Sequence, residues 1–432
     1  MKKHSLIKFA LAVTMLPLAN AAHAQLVDCN AFLSGNYIQA GISPNGAFGT
    51  TTTAPTGYYV NAGNAPLNIC DSSVMTGYQL GFISDPAMDG FTVGSPAYYG
   101  DFFTPGSPFE GWSISVDGVR ADAFGTAYGA CTGGMTGSNI GYTATASGVQ
   151  TTWQGMFNGV SITQVTNLDS SALFFSMSVT ITNTDTVAHD IYYLRTLDPD
   201  NDEVESGSFS TKNQILYQLP NPLNASVVTA TGTVYDSAFL ALGSGDTSAK
   251  CFIYSSWPIS SSIPLGDLYA DTAIGGLGTS AYGMGDSIIS DVAIGLVFNV
   301  GHLASVDSAG DSVANRTTSS YHPANSKTVN YFYAFGAPAV NSALSTATPT
   351  AVNNISKKPI TIFPNPTTNN LTVTGLNPGD NVTLYNMMGA QVNIGTANSN
   401  NYSLSAIPTG NYIILIKDAQ GNVRKKQTIS KL

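Results

Sequence analysis

Apolar and polar side chains alternate with a period of two wherever the chain shows a clear pattern. In Phe175-Ser176-Met177-Ser178-Val179-Thr180-Ile181-Thr182 each apolar residue is followed by one carrying a hydroxyl. Such a segment is a strand with one face in a core and the other in water. Trp112, Ile114 and Val116 alternate with Ser113 and Ser115, and Asp117-Gly118 then supplies the residues of a tight hairpin turn before Val119 to Phe124 return. Val329, Tyr331, Tyr333 and Phe335 form another alternating set, whereas Val292 to Val300 is apolar on both faces, as in a central covered strand. No stretch of the mature chain carries an apolar helical stripe over three turns. The pattern predicts an all-β protein, a large antiparallel β-sandwich of single, double or supersandwich-like form.

The ends of the chain read differently. Lys2, Lys3 and Lys8 precede a mostly apolar run from Leu11 to Leu18, and Ala22-His23-Ala24 places small residues before a cut ahead of Gln25. Residues 1–24 are therefore expected to be a secretory signal peptide, the run being too short to span a bilayer. Residues 25–340 form the main domain, with a glycine-rich, least regular stretch at 25–145. Residues 341–356, with few large side chains, read as a linker. From Ile360 onward seven short strands separated by Pro, Asn and Gly turns predict a small Ig-like sandwich at 357–432.

The motifs of this tail carry a resemblance. Phe363-Pro364-Asn365-Pro366, Val382-Thr383-Leu384-Tyr385-Asn386 followed by Gly389, Pro408-Thr409-Gly410-Asn411-Tyr412, and a closing strand through Val423-Arg424-Lys425-Lys426 to Leu432 are similar to the type A sorting domain of the type IX secretion system. The resemblance implies passage through the periplasm and recognition of the tail by the secretion machinery. It also implies secretion or display at the outer-membrane surface, with linkage to lipopolysaccharide after removal of the tail. The sorting residues it points to are Pro364, Asn365, Pro366, Gly389, Gly410, Tyr412 and Lys426. For the main domain, similarity to the supersandwich of sugar mutarotases concerns shape alone, because that family's paired histidines are missing.

Charge sharpens the division. Residues 25–356 hold six basic residues against 24 acidic ones, whereas residues 357–432 hold seven basic residues against Asp380 and Asp418. An acidic body joined to a basic tail argues for two domains with separate jobs, and the body's charge excludes nucleic acid as a partner. Cys29, Cys70, Cys131 and Cys251 lie in the exported part, without a CxxC pair. They are expected to form two disulfides of open pairing.

The densest acidic cluster is Asp198-Pro199-Asp200-Asn201-Asp202-Glu203. Alternate carboxylates of a loop can converge on one point, so Asp198, Asp200, Asp202 and Glu203 are candidate calcium ligands, although the spacing is not that of an EF-hand. Calcium is the one cofactor this reading offers. Asp85, Asp89 and Asp101 make a second acidic group near glycines. Enzyme signatures such as GxSxG, a P-loop or HExxH do not occur. Glu110, beside Trp112, is the best single candidate acid, with Asp101 or Asp198 as its partner. The preferred expectation is a non-catalytic adhesive or structural β-protein whose partners are surface glycans or further copies of itself. The alternative is a secreted hydrolase or binding protein acting on polysaccharide.

Overall fold

The computed structural model describes residues 22–59, 80–91, 100–126, 134–255, 259–270, 284–306, 324–347, 360–376, 381–386, 390–392, 394–398, 401–417 and 423–432. Two units emerge, Met1–Pro349 and Thr350–Leu432. Every strand ladder in both is antiparallel, as the period-two pattern requires.

The body stacks a nine-stranded sheet against a five-stranded one. The larger runs in the order Ser287–Ser290, Thr211–Tyr217, Ser226–Gly232, Phe239–Ser244, Ser326–Ala334, Phe174–Asn183, Val160–Asp169, Gly148–Phe157 and Thr136–Ala144. The smaller runs Ala249–Tyr254, Ala293–Leu303, His189–Leu197, Phe109–Val116 and Val119–Thr126. Four short strands, His23–Val27, Asn30–Ser34, Ile38–Ile42 and Phe82–Ser84, form a third sheet. Phe175, Met177, Val179 and Ile181 all enter one core with Trp112, Ile114, Tyr193, Leu296, Phe298, Tyr331 and Tyr333.

Several local expectations are seen directly. Asp117 and Gly118 both take positive φ, 50° and 81°, and join Val116 to Val119 in a two-residue hairpin. The strand Ala293–Leu303 is buried on both sides. Ile294, Leu296 and Phe298 face the main core. Ala293 and Val297 face a second cluster under the short helix Leu265–Ala270.

One boundary differs from the expectation. Residues 341–347 are not linker but the end of an α-helix, Ala337–Ala347, whose Val340 and Ala343 pack on Phe332, Ala334, Val227 and Ala241 of the large sheet's outer face. Residues 348–356 lie outside the described residues. At the other end, the first strand begins at His23, two residues before the expected cut. Gln25, Leu26 and Val27 keep their pairing with Phe32, Ala31 and Asn30 on the far side of it.

The tail is a sandwich of two four-stranded sheets around Ile362, Leu371, Val373, Leu384, Leu404, Ile414, Ile416 and Ile429. The expected strand at 391–394 becomes two, Gln391–Val392 in one sheet and Gly395–Asn398 in the other, because the chain changes sheets there. Among the described residues no helix is long and apolar enough to cross a membrane.

Candidate metal centre

The strand His189–Leu197 delivers Asp198 to one end of the five-stranded sheet, where the Asp198 N–H donates to the Phe109 carbonyl. Two residues on, the Asp200 N–H donates to the Phe102 carbonyl at 2.8 Å. Asn201 then sends its Nδ2 to the carbonyls of Ala230 and Ala238, at 2.7 and 2.8 Å, pinning the loop to the large sheet. Asp291 arrives from elsewhere, in the turn before the strand Ala293–Leu303. One ligand atom from each of Asp198, Asp200 and Asp291 lies within 4.8 Å of the others. Asp198 and Asp200 are each only 2% exposed, while Asp291 forms a more open rim.

Three carboxylates this close cannot all carry charge without compensation. Burial, and then the Asp291 carboxylate, push Asp198 well above the usual carboxylate range. Asp200 is raised by burial and then by Asp198, Asp291, Glu203 and Asp101. Hard oxygen donors of this kind suit a divalent cation.

The ligand set differs from the one expected. Asp202 is turned into the fold, its Oδ2 accepting the N–H groups of Val234 and Tyr235 at 3.1 and 3.0 Å. Glu203 opens the single helical turn Glu203–Ser206, its N–H donating to the Asp200 carbonyl at 3.2 Å, while its carboxylate stays outside the converging group and acts on the Asp200 carboxyl through its charge. Asp85 and Asp101 are likewise spent on backbone. Asp85 accepts from Asp89, Gly90 and Phe91, and Asp101 accepts from Gly81, Phe103 and Thr104. Burial raises Asp101 to about 7 in spite of those bonds.

Glu110 is no candidate acid. Its Oε1 accepts from Arg195 Nε at 2.6 Å and from the Tyr333 hydroxyl at 2.8 Å, and its Oε2 accepts the Phe48 N–H. Both charged side chains are fully buried. Burial drives the Glu110 carboxyl upward while the Arg195 guanidinium pulls it back. The arrangement ties the segment after the strand Ile38–Ile42, which supplies Phe48, to both large sheets.

The expected disulfides are not seen in the described part. Cys29 and Cys251 are free thiols, and Cys251 is buried with its Sγ donating to the Tyr217 carbonyl. Cys70 and Cys131 lie outside the described residues, as does Gly389.

A different feature dominates the surface of the large sheet. Its outward side chains form a hydroxyl ladder. Ser178 donates to Asn330 at 2.7 Å, Thr180 meets Thr328 at 2.8 Å, and Thr182 meets Ser326 at 2.8 Å. Ser161, Thr163, Asn167, Thr152 and Gln154 extend the same face, which also carries Asp169 and, on the strand Thr211–Tyr217, the exposed Lys212. Where the helix Ala337–Ala347 crosses the sheet, a groove of about 570 Å³ opens between Asn167, Asp169, Phe174, Ser176, Ser342 and Ser345. Its one carboxylate, Asp169, is occupied by the N–H and hydroxyl of Ser171.

In the tail, Asn365 clasps the closing strand. Its Nδ2 donates to the Thr428 carbonyl and its Oδ1 accepts the Ser430 N–H, at 3.0 and 2.9 Å. Pro364 and Pro366 flank it through cis bonds. The Tyr412 hydroxyl donates to the Pro408 carbonyl at 2.8 Å across the turn at Gly410, whose φ of 149° suits glycine. Lys426 is exposed on the closing strand. Residues 361–430 match the family model of the secretion system C-terminal sorting domain. The tail is a type IX sorting domain.

This sorting domain directs the protein to the type IX secretion machinery, and so to secretion or the outer-membrane surface. No curated protein matches the chain. Among solved structures it is similar to a polysaccharide lyase, at 10% identity and a TM-score of 0.24, over 77% of this chain and 40% of that one. A protein assigned as a kojibiose phosphorylase from the human microbiome is similar at 10% identity and a TM-score of 0.30, over 78% of this chain and 36% of that one. The chain thus spans well under half the length of either structure.

Proposed function

We propose that the body is a non-catalytic adhesive domain that the sorting tail carries out of the cell. The observation that supports this is the outer face of the large sheet, a broad field of Ser, Thr, Asn and Gln linked by its own cross-strand hydrogen bonds. Uncharged hydroxyls and amides can exchange water for the hydroxyls of a glycan or of another protein face at little desolvation cost. Many such contacts add up to retention without a deep pocket. Surface glycans and further copies of the chain are the partners that suit this face. Lipopolysaccharide would be its anchor after loss of the tail.

The groove beside the helix Ala337–Ala347 favours the second reading, a protein that binds or cleaves polysaccharide, because it has the volume for a sugar unit. Cleavage by two facing carboxylates would need a partner for Asp169.

Retention of the exported protein on glycan-coated surfaces, and where on the body it is lost, tests the adhesive reading. Replacing Thr163 and Thr180 together by Lys should lower retention at least about tenfold with little change in Tm, since both side chains point outward. Release of new reducing ends from any glycan by the wild-type protein would overturn the adhesive reading.

A further inference from the structure

We infer that Asp198, Asp200 and Asp291 form a calcium site that fastens the 198–206 loop to the turn before Ala293–Leu303 at one end of the body. The inference is independent of which ligand the outer sheet face takes. Proximity of acids alone would not carry it. The added observation is that Asp200 Oδ1 is buried without any hydrogen-bond partner, and that Asp198 Oδ1 likewise has none, its carboxyl meeting only the carboxylate of Asp291, on side chains only 2% exposed. Among the described residues, the other buried carboxylates of the body are satisfied. Asp101, Asp202 and Glu110 each accept at least two hydrogen bonds. Orphaned carboxylate oxygens are costly, and a protein that satisfies its other buried acids has a use for these.

The surroundings fit a cation. Among the described residues no Lys, Arg or His is in ion-pair reach of Asp198 or Asp200. The charges acting on Asp200 are all negative. The backbone that carries the ligands is fixed before any ion arrives. Asp198 and Asp200 hang from the Phe109 and Phe102 carbonyls, Asn201 from Ala230 and Ala238, and Asp202 ties the loop to Val234 and Tyr235. Asn201 Oδ1, in the same loop, is also buried and without a partner. Three carboxylates can supply up to six oxygens, and solvent at the Asp291 rim completes the shell calcium requires. The flexible carboxylate geometry suits calcium better than magnesium, which demands a tight octahedron and keeps most of its water. An ion there would bridge segments that are distant in sequence, as a disulfide would.

The test uses the exported protein after chelator treatment and desalting. In CaCl2 the Tm of the body should exceed that in EGTA by about 5 °C, with about one calcium retained per chain and a smaller shift in MgCl2. Asp291→Asn, a change at the open rim, should remove the calcium increment. In EGTA the same variant should melt above the wild type, because it deletes one of three crowded charges. Asp200→Asn provides the same reading if the first variant folds poorly. Equal Tm in CaCl2 and EGTA with no retained calcium overturns the site. So does a full calcium increment in either variant.

Discussion

The two units solve the same architectural problem with different interiors. The tail fills its sandwich with Ile, Leu and Val, and only Thr367 and Lys431 among its described polar side chains are buried. The body buries Asp101, Glu110, Asp122, Arg195, Asp198, Asp200 and Asp202 within or beside its core. An apolar interior tolerates exchange of one hydrophobic residue for another of similar volume, so the tail's identity resides in turns and clasps rather than in its core. A charged interior requires each member to have its partner, which makes the body specific and brittle. The contrast extends to the surface, with an acidic body and a basic tail.

The sharpest way to break the contrast is to remove one half of the body's buried pair. Glu110→Gln leaves the Arg195 guanidinium uncompensated beneath Phe48 and Tyr333. It should cost about 3–5 kcal/mol, a fall in Tm on the order of 10 °C. Adding Arg195→Met to that variant should restore much of the loss, because an apolar pair needs no counter-charge. Calorimetry of the exported protein measures both. A loss under about 1 kcal/mol for the single change would mean that the pair is not what joins the sheets.

A smaller effect follows from the acids that have no cationic partner. Asp101, Asp198 and Asp200 hold their protons more tightly folded than unfolded. The folded state therefore binds more protons, and stability falls as pH rises from the ordinary carboxylate range toward the folded value, about 7 for Asp101. In EGTA the body should lose about 2–3 kcal/mol between pH 5 and pH 8, while the tail should not respond. Asp117, Asp169 and Asp185 shift the other way, and their contribution changes only below that window. Denaturant melts at the two pH values decide it. A body more stable at pH 8 than at pH 5 without calcium would contradict the picture of crowded, uncompensated acids.

How far the sequence carries depends on how local each cause is. Alternation in Phe175 to Thr182 and the Asp117-Gly118 turn are properties of adjacent residues, and they appear as expected. Asn158-Gly159 is another such signal, a two-residue hairpin turn with φ of 43° and 73°. The helix Ala337–Ala347 also left a trace, with Pro338 in its first turn and Val340, Ala343 and Leu344 on one face. Small uncharged residues made that trace resemble a linker. Asp291 is a different case. It meets Asp200 only because the strand Ala293–Leu303 pairs with His189–Leu197. Likewise, Arg195 reaches Glu110 because Leu197 is in register with Glu110 one sheet position away. Contacts made by strand pairing leave no local mark, so the acidic run could be found and its third ligand could not.

The smallest expected effect tests the tail. Asn365 is exposed, so its replacement disturbs no packing, yet it makes two hydrogen bonds to the closing strand. Beside it, the Thr367 N–H donates to the Ser430 carbonyl and the Leu432 N–H to the Thr367 carbonyl. These bonds hold the last strand on its open edge. Asn365→Ala should cost the tail about 1 kcal/mol, a roughly fivefold faster exchange of the Ser430 amide, and leave the body's Tm unchanged. Surface delivery should fall in step if the secretion machinery reads the closing strand in its folded position. Unchanged exchange at Ser430 would show that the Pro364-Asn365-Pro366 segment is not the clasp. Faster exchange with undiminished delivery would show that the machinery reads some other part of the sandwich.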